Sequence, residues 1–183
     1  PKQKSFGLLL VSAAFAFYAA YHPDIGTGMI LPFLGVNAVV ELPVFLYIPL
    51  IIIVMYLITN SVNMTDGVDG LAAGVTLIVA VFFTIVAMMK PEWDSVKMIC
   101  AITAGGCLGF LVFNIYPARV IMGDTGSLAL GGAVGAAAVL MKMPWMLLVA
   151  GAIYAVESLS VFIQVTSYKL RGKRVFKMAP IHH

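Results

Sequence analysis

Long apolar runs separated by short polar breaks organise this chain, and the breaks carry almost all of its charge. Counted from one charged residue to the next, the uninterrupted stretches are 5–23, 42–65, 70–89, 98–118 and 125–141. A last run from 143 is interrupted only by Glu157 before Lys169. A helix rises about 1.5 Å per residue, so most of these runs are long enough for a hydrocarbon core of roughly 30 Å, and the run from 125 is a little short. The pattern predicts six transmembrane helices near 5–21, 43–60, 71–89, 95–116, 125–141 and 144–168, an all-α polytopic bundle forming one integral membrane domain. Strands of a membrane barrel would alternate polar and apolar over about ten residues, which these runs do not.

Composition sharpens this reading. Hydrophobic residues make up 62% and charged residues 10% of the chain, with a mean hydropathy of +1.03, which excludes an ordinary soluble domain. The start, PKQK, lacks an initiator Met and leads into a full span with no small-residue cleavage site, so the chain reads as a segment of a longer protein rather than one opening on a signal peptide. Cys100 and Cys107 fall on one predicted helix about 10 Å apart along its axis, too far to pair, and read as packing residues.

Alternating helices place eight Lys and Arg on one side of the membrane (Lys2, Lys4, Arg119, Lys169, Arg171, Lys173, Arg174 and Lys177) and three on the other (Lys90, Lys97 and Lys142). The richer side is the expected cytoplasmic one. Three suggestive stretches fall on it: NMTDGVDG (63–70), YPARVIMGDTGS (116–127) and RGKRVFKMAPIHH (171–183). The opposite side receives HPDIGTG, PEWD and KMP, which read as polar turns.

In the first stretch Asn63, Asp66 and Asp69 recur every three residues, so a helical or nearly helical segment sets them on one face. Gly67 and Gly70 let a ligand approach the backbone, and the helix starting at Leu71 offers N–H groups and a positive dipole end to an anion. Carboxylates beside an anion site point to Mg²⁺ with a phosphate, or to an Asp accepting from a base or sugar hydroxyl. Helix capping accounts for this stretch, taken alone, equally well. In MGDTGS, Asp124 precedes a small-residue helix whose GGxxG pattern serves internal packing or a homodimer. Asp124 or Thr125 as a cap is the plain reading. A second acidic helix start on the same side of the membrane favours a shared cation site.

The tail carries five basic residues between 169 and 177, enough to hold anionic headgroups. His182 and His183 after it read equally as metal ligands, phosphate donors or terminal decoration. Glu157, with Ser160 and Gln164, forms one polar stripe inside a span, which marks either a functional acid or a hydrogen bond to a neighbouring helix.

Together NxxNMTDGVDGLAAG (60–74), FNIYPARVIMGDTGSLALGG (113–132) and KRVFKMAPIHH (173–183) resemble the polyprenyl-phosphate N-acetylhexosamine-1-phosphate transferases. The MAP-plus-histidine tail is similar to the muramoyl-pentapeptide branch of that family. The resemblance implies about ten helices in the whole protein, in a bacterial inner membrane with the site facing the cytoplasm. It implies transfer of phospho-N-acetylmuramoyl-pentapeptide from its UDP-linked donor to undecaprenyl phosphate with Mg²⁺, releasing UMP and making a lipid-linked peptidoglycan precursor. Membrane lipid is a partner and nucleic acid is not. By the same resemblance Asp124 binds the metal. Asp66 and Asp69, with Asn63 and the Gly67–Val68 backbone, line the pocket for uridine and its phosphates, supported by Asn60 and Asn114. Lys4 meets a phosphate, and His182 and His183 contact donor groups. Ile121 stands where the family commonly has a Phe that stacks on uracil. The resemblance also places paired aspartates upstream of Lys4 and a last helix after the histidines, so this segment alone is expected to be inactive. Two alternatives remain at this point: a donor of UDP-N-acetylglucosamine, and a transporter whose acidic loops are gates.

Overall fold

A computed structural model of the protein describes residues 2–31 and 38–180. Its helices are α1 (Lys2–Tyr21), α2 (Val44–Thr65), α3 (Leu71–Ala87), α4 (Asp94–Asn114), α5 (Gly123–Leu140), α6 (Met146–Ala150) and α7 (Ala152–Arg171). The first five match the predicted spans in order. Four of them, α1, α2, α4 (with the short turn before it) and α5, are long and apolar enough to cross a membrane, and α3 is a shorter apolar helix of 17 residues.

Helix α2 lies at the centre. In hydrocarbon, helices gain little from burying apolar surface against each other, so close backbone approach and interhelical hydrogen bonds do the holding. Both are present. A Cβ on Gly131 would lie 2.7 Å from the Cα of Thr59, and one on Gly135 would lie 2.8 Å from Ile58 Cγ2, so these two glycines let α5 press directly onto α2. The GGxxG pattern thus serves packing inside the chain. On one side of this pair, Ala16, Ala19, Tyr47, Ile51 and Val139 pack α1 against it; on the other, Val79, Phe83, Cys100, Val134 and Tyr154 join α3, α4 and α7. Cys100 and Cys107 are free and buried, as packing residues should be.

Two features depart from the sequence reading. Strands β1 (Gly28–Ile30) and β2 (Val39–Glu41) pair antiparallel, with Met29 opposite Val40, where only polar turns are predicted. Ile30 N–H also donates to the Lys142 carbonyl at 2.8 Å, so the hairpin ties the far end of α1 to the far end of α5. The predicted span 144–168 is two helices. At Gly151 a side chain would meet the Leu147 carbonyl at 2.7 Å, and the chain turns there before α7 begins.

Helix α7 does not follow the bundle to its end. Its Tyr154 hydroxyl is hydrogen-bonded to Thr76 Oγ1 at 2.7 Å, and its Ser158 donates to Ser61 Oγ at 2.6 Å. Ser61 is four residues from the end of α2, whereas Ser158 is 13 residues from the end of α7. About 20 Å of α7 therefore extends past its anchor on α2, with Phe162, Val165, Tyr168 and Leu170 exposed along it.

Candidate active site

Lys4 in the first turn of α1, Asn63 in the last turn of α2 and Asp124 in the first turn of α5 meet at one end of the bundle. The close packing of Gly131 and Gly135 sets that alignment, because it brings the start of α5 alongside the end of α2. Lys4 Nζ donates to Asn63 Oδ1 at 2.6 Å and to Asp124 Oδ2 at 3.0 Å. Asn63 Nδ2 donates to Asp124 Oδ1 at 3.0 Å and to Ser127 Oγ at 2.8 Å. Asp66 follows one turn after Asn63, at the C-cap of α2. Burial pushes its carboxyl group above the usual carboxylate range, the charge of Asp124 pushes it further, and a hydrogen bond with Ser127 partly offsets both. The Lys4 ammonium pairs with Asp124 alone of the two mutually repelling carboxylates, and Asp124 keeps 72% of its side chain exposed.

Capping does not explain these acids. Helix α5 has Met122 at its N-cap and no side-chain cap, while α3 has Gly70 there, also without one. Gly70 takes the left-handed φ of +77°, a conformation that L side chains rarely adopt. Asp69 bonds elsewhere than Asn63: its Oδ2 accepts from the Ala118 N–H at 3.0 Å. Asn114, at the end of α4 and 5% exposed, accepts from the Gly70 N–H at 3.0 Å and donates to the Val120 carbonyl at 2.9 Å. Asp69 and Asn114 therefore clasp the 66–70 turn to the 115–120 loop. Asn114→Ala removes two hydrogen bonds, to the half-buried Gly70 N–H and to the carbonyl of the exposed Val120, each worth about 0.5–1.5 kcal/mol. Thermal unfolding of the purified variant should show a loss of about 1–3 kcal/mol; an unchanged transition would contradict the clasp.

Asn60, Gly67, Val68 and Ile121 lie around this cluster and make none of its hydrogen bonds. Asn60 Nδ2 donates to the Tyr56 carbonyl of its own helix at 2.8 Å. Gly67 and Val68 are exposed on the turn, and Ile121 is 80% exposed just before α5. His182 and His183 lie outside the described residues. The Glu157 stripe divides: Ser160 donates to the Glu157 carbonyl, while Gln164 bonds to the tail. Ser127 was not anticipated, although its position three residues after Asp124 on a helix puts both on one face.

The pattern that defines the glycosyl transferase family 4 matches residues 1–142, more than three-quarters of the chain and every member of the Lys4–Asn63–Asp124 cluster. The chain belongs to this family. It is similar to proteins named phospho-N-acetylmuramoyl-pentapeptide-transferase from three bacteria. The one from Acetivibrio thermocellus is 63% identical over 99% of this chain and 54% of its own length. That from Clostridium novyi is 51% identical over 99% and 54%, and that from Clostridium acetobutylicum 46% identical over 100% and 56%. The chain spans about half the length of these relatives.

For a glycosyl transferase family 4 chain the question is whether this cluster can hold a divalent cation. No group of three or more His, Cys, Asp or Glu suited to a metal occurs among the described residues. Mg²⁺ is commonly bound by one or two carboxylates completed by substrate phosphates and water. Asp124, open to solvent, with Asp66 and the amide oxygen of Asn63 nearby, is such a donor set: hard oxygens only, excess negative charge, and room on the exposed side. The residues fit the ion.

Proposed function

We propose that the protein of which these residues form the site transfers phospho-N-acetylmuramoyl-pentapeptide from its UDP-linked donor to undecaprenyl phosphate. An oxygen of the lipid phosphate attacks the phosphorus attached to the sugar. The bond from that phosphorus to the bridging oxygen breaks, a new P–O–P link forms, and UMP leaves with the bridging oxygen. The product is the first lipid-linked intermediate of peptidoglycan. What supports this reading above all is the Lys4–Asn63–Asp124 constellation, three polar side chains from three helix ends converging at one end of the bundle, in a chain similar to transferases of that name.

The reaction brings two phosphorylated partners together, so positioning and charge stabilisation carry most of the catalysis. Asp124, with Asp66, would hold Mg²⁺, which supplies offsetting positive charge to the transferring group. Lys4 places an ammonium beside Asp124, where it can pass from the carboxylate to a phosphate oxygen. Asn63 holds both Lys4 and Asp124 in register. The Gly67–Val68 backbone and Ile121 border the uridine end, with Asn60 and Asn114 behind it, and Asp69 fixes the loop they share. By the family resemblance alone, His182 and His183 are assigned to donor groups. The site opens to the cytoplasm of a bacterial inner membrane, where a soluble UDP donor is found, and the apolar helix surfaces hold the prenyl chain.

Donor labelled in the sugar tests this directly. In the full-length protein, label should move into the organic phase only with undecaprenyl phosphate, should stop with chelator and should return with Mg²⁺. Movement from UDP-N-acetylglucosamine instead would transfer the assignment to that donor, and uptake into vesicles without any chemical transfer would replace the reaction with transport.

A further inference from the structure

The basic tail forms a built groove. Gln164 of α7 accepts from the N–H groups of Val175 and Phe176 at 3.0 and 2.9 Å and donates to the Phe176 carbonyl at 3.0 Å. Ser167 adds a bond to the Lys173 carbonyl at 3.0 Å. These four bonds fold the tail back along α7 and border an open groove of about 430 Å³. Its walls are Val165, Tyr168, Met178 and Ala179; Lys169, Arg174 and Lys177 supply its charge, with no acidic residue among the lining groups. The two remaining basic residues of the cluster, Arg171 and Lys173, do not line it.

We propose that this groove binds the headgroup of an anionic bilayer phospholipid. The charge calls for an anion, and Arg174 offers the forked donors that suit a phosphate. The apolar walls favour an amphiphile over a free ion. The placement agrees: α7 extends past its anchor on α2 with exposed Phe162, Val165, Tyr168 and Leu170, a mixture of apolar and basic groups suited to the boundary between acyl chains and headgroups. The inference does not rest on the transferase reading.

The test compares two double variants that remove equal charge, Arg174→Gln/Lys177→Gln within the groove and Arg171→Gln/Lys173→Gln outside it. Full-length protein in neutral detergent is titrated with short-chain phosphatidylglycerol, and bound lipid is counted by native mass spectrometry; circular dichroism confirms that both variants are folded. The expected result is saturable binding, weakened roughly thirty-fold in the groove variant, as for two cations lost, and less than about threefold in the other. Gln164→Leu, which removes no charge but releases the tail, should also weaken binding. Equal weakening in both double variants would show a diffuse charge effect and overturn the site. Equal binding of phosphatidylcholine would overturn the charge requirement, and equal competition by inorganic phosphate would replace the lipid with a free anion.

Discussion

Asp124→Asn should lower Mg²⁺-dependent transfer by on the order of a thousandfold or more, the scale on which a single electrostatic contact to a reacting phosphate acts, while leaving the protein folded. Asparagine keeps the shape and one oxygen for Lys4 or for Asn63 but gives up the charge that would hold a cation. Asp124 caps no helix and is mostly exposed, so its charge is not needed to build the bundle. Turnover measured as UMP release, beside a thermal unfolding curve in the same detergent, separates the two effects. Glu157→Gln, at a buried position of α7 outside the Lys4–Asn63–Asp124 hydrogen bonds, should cost less than about tenfold. Full activity in Asp124→Asn would remove Asp124 from the site.

Gly131→Leu should be the most damaging structural change. Its first added carbon would meet the Thr59 Cα at 2.7 Å and Val62 Cβ at 3.2 Å, both on the helix that carries Asn63. Backbone must move, because neither atom is the end of a flexible side chain. A destabilisation above about 3 kcal/mol is expected, at the upper end for overpacking, together with lost activity as α5 carries Asp124 away from Asn63. The neighbouring Gly132 has nothing within 4 Å of its would-be Cβ. Gly132→Leu should therefore be tolerated or mildly stabilising, since glycine is the poorer helix former by about 1 kcal/mol. Folded yield by size-exclusion chromatography and the unfolding midpoint distinguish the pair; equal effects would contradict the packing role of Gly131.

Much of this was legible from sequence, for identifiable reasons. Spans α1 to α5 follow from apolar runs because a membrane helix must satisfy its backbone within itself, so composition and length nearly determine it. Asn63 and Asp124 could be placed on one side because helices alternate direction, and that alone brings loops from distant positions to one surface. The sequence left capping and chemistry equal for the stretch holding Asp66 and favoured a shared cation site for Asp124; in the structure Asp66 sits at the α2 C-cap, Asp124 lies beside Lys4, and neither is a helix N-cap. The remainder depends on partners that no local pattern encodes. Asp69 looked equivalent to Asn63 by spacing, but α2 ends before it and its carboxylate turns to the Ala118 N–H. Gly151 breaks an apolar run that hydropathy reads as continuous. The hairpin of Gly28–Ile30 with Val39–Glu41 is three residues a side and held partly by Lys142, a contact across more than a hundred positions. Gln164 looked like part of an intramembrane stripe, yet it fastens the tail.

The most direct measurement uses the full-length protein in detergent with undecaprenyl phosphate, Mg²⁺ and UDP-N-acetylmuramoyl-pentapeptide, following UMP release while each component is omitted in turn. Release that requires all three, and that Lys4→Met as well as Asp124→Asn abolishes, is the expected result. Release that continues without lipid phosphate, or that persists in both variants, would contradict a transferase site built on Lys4, Asn63 and Asp124.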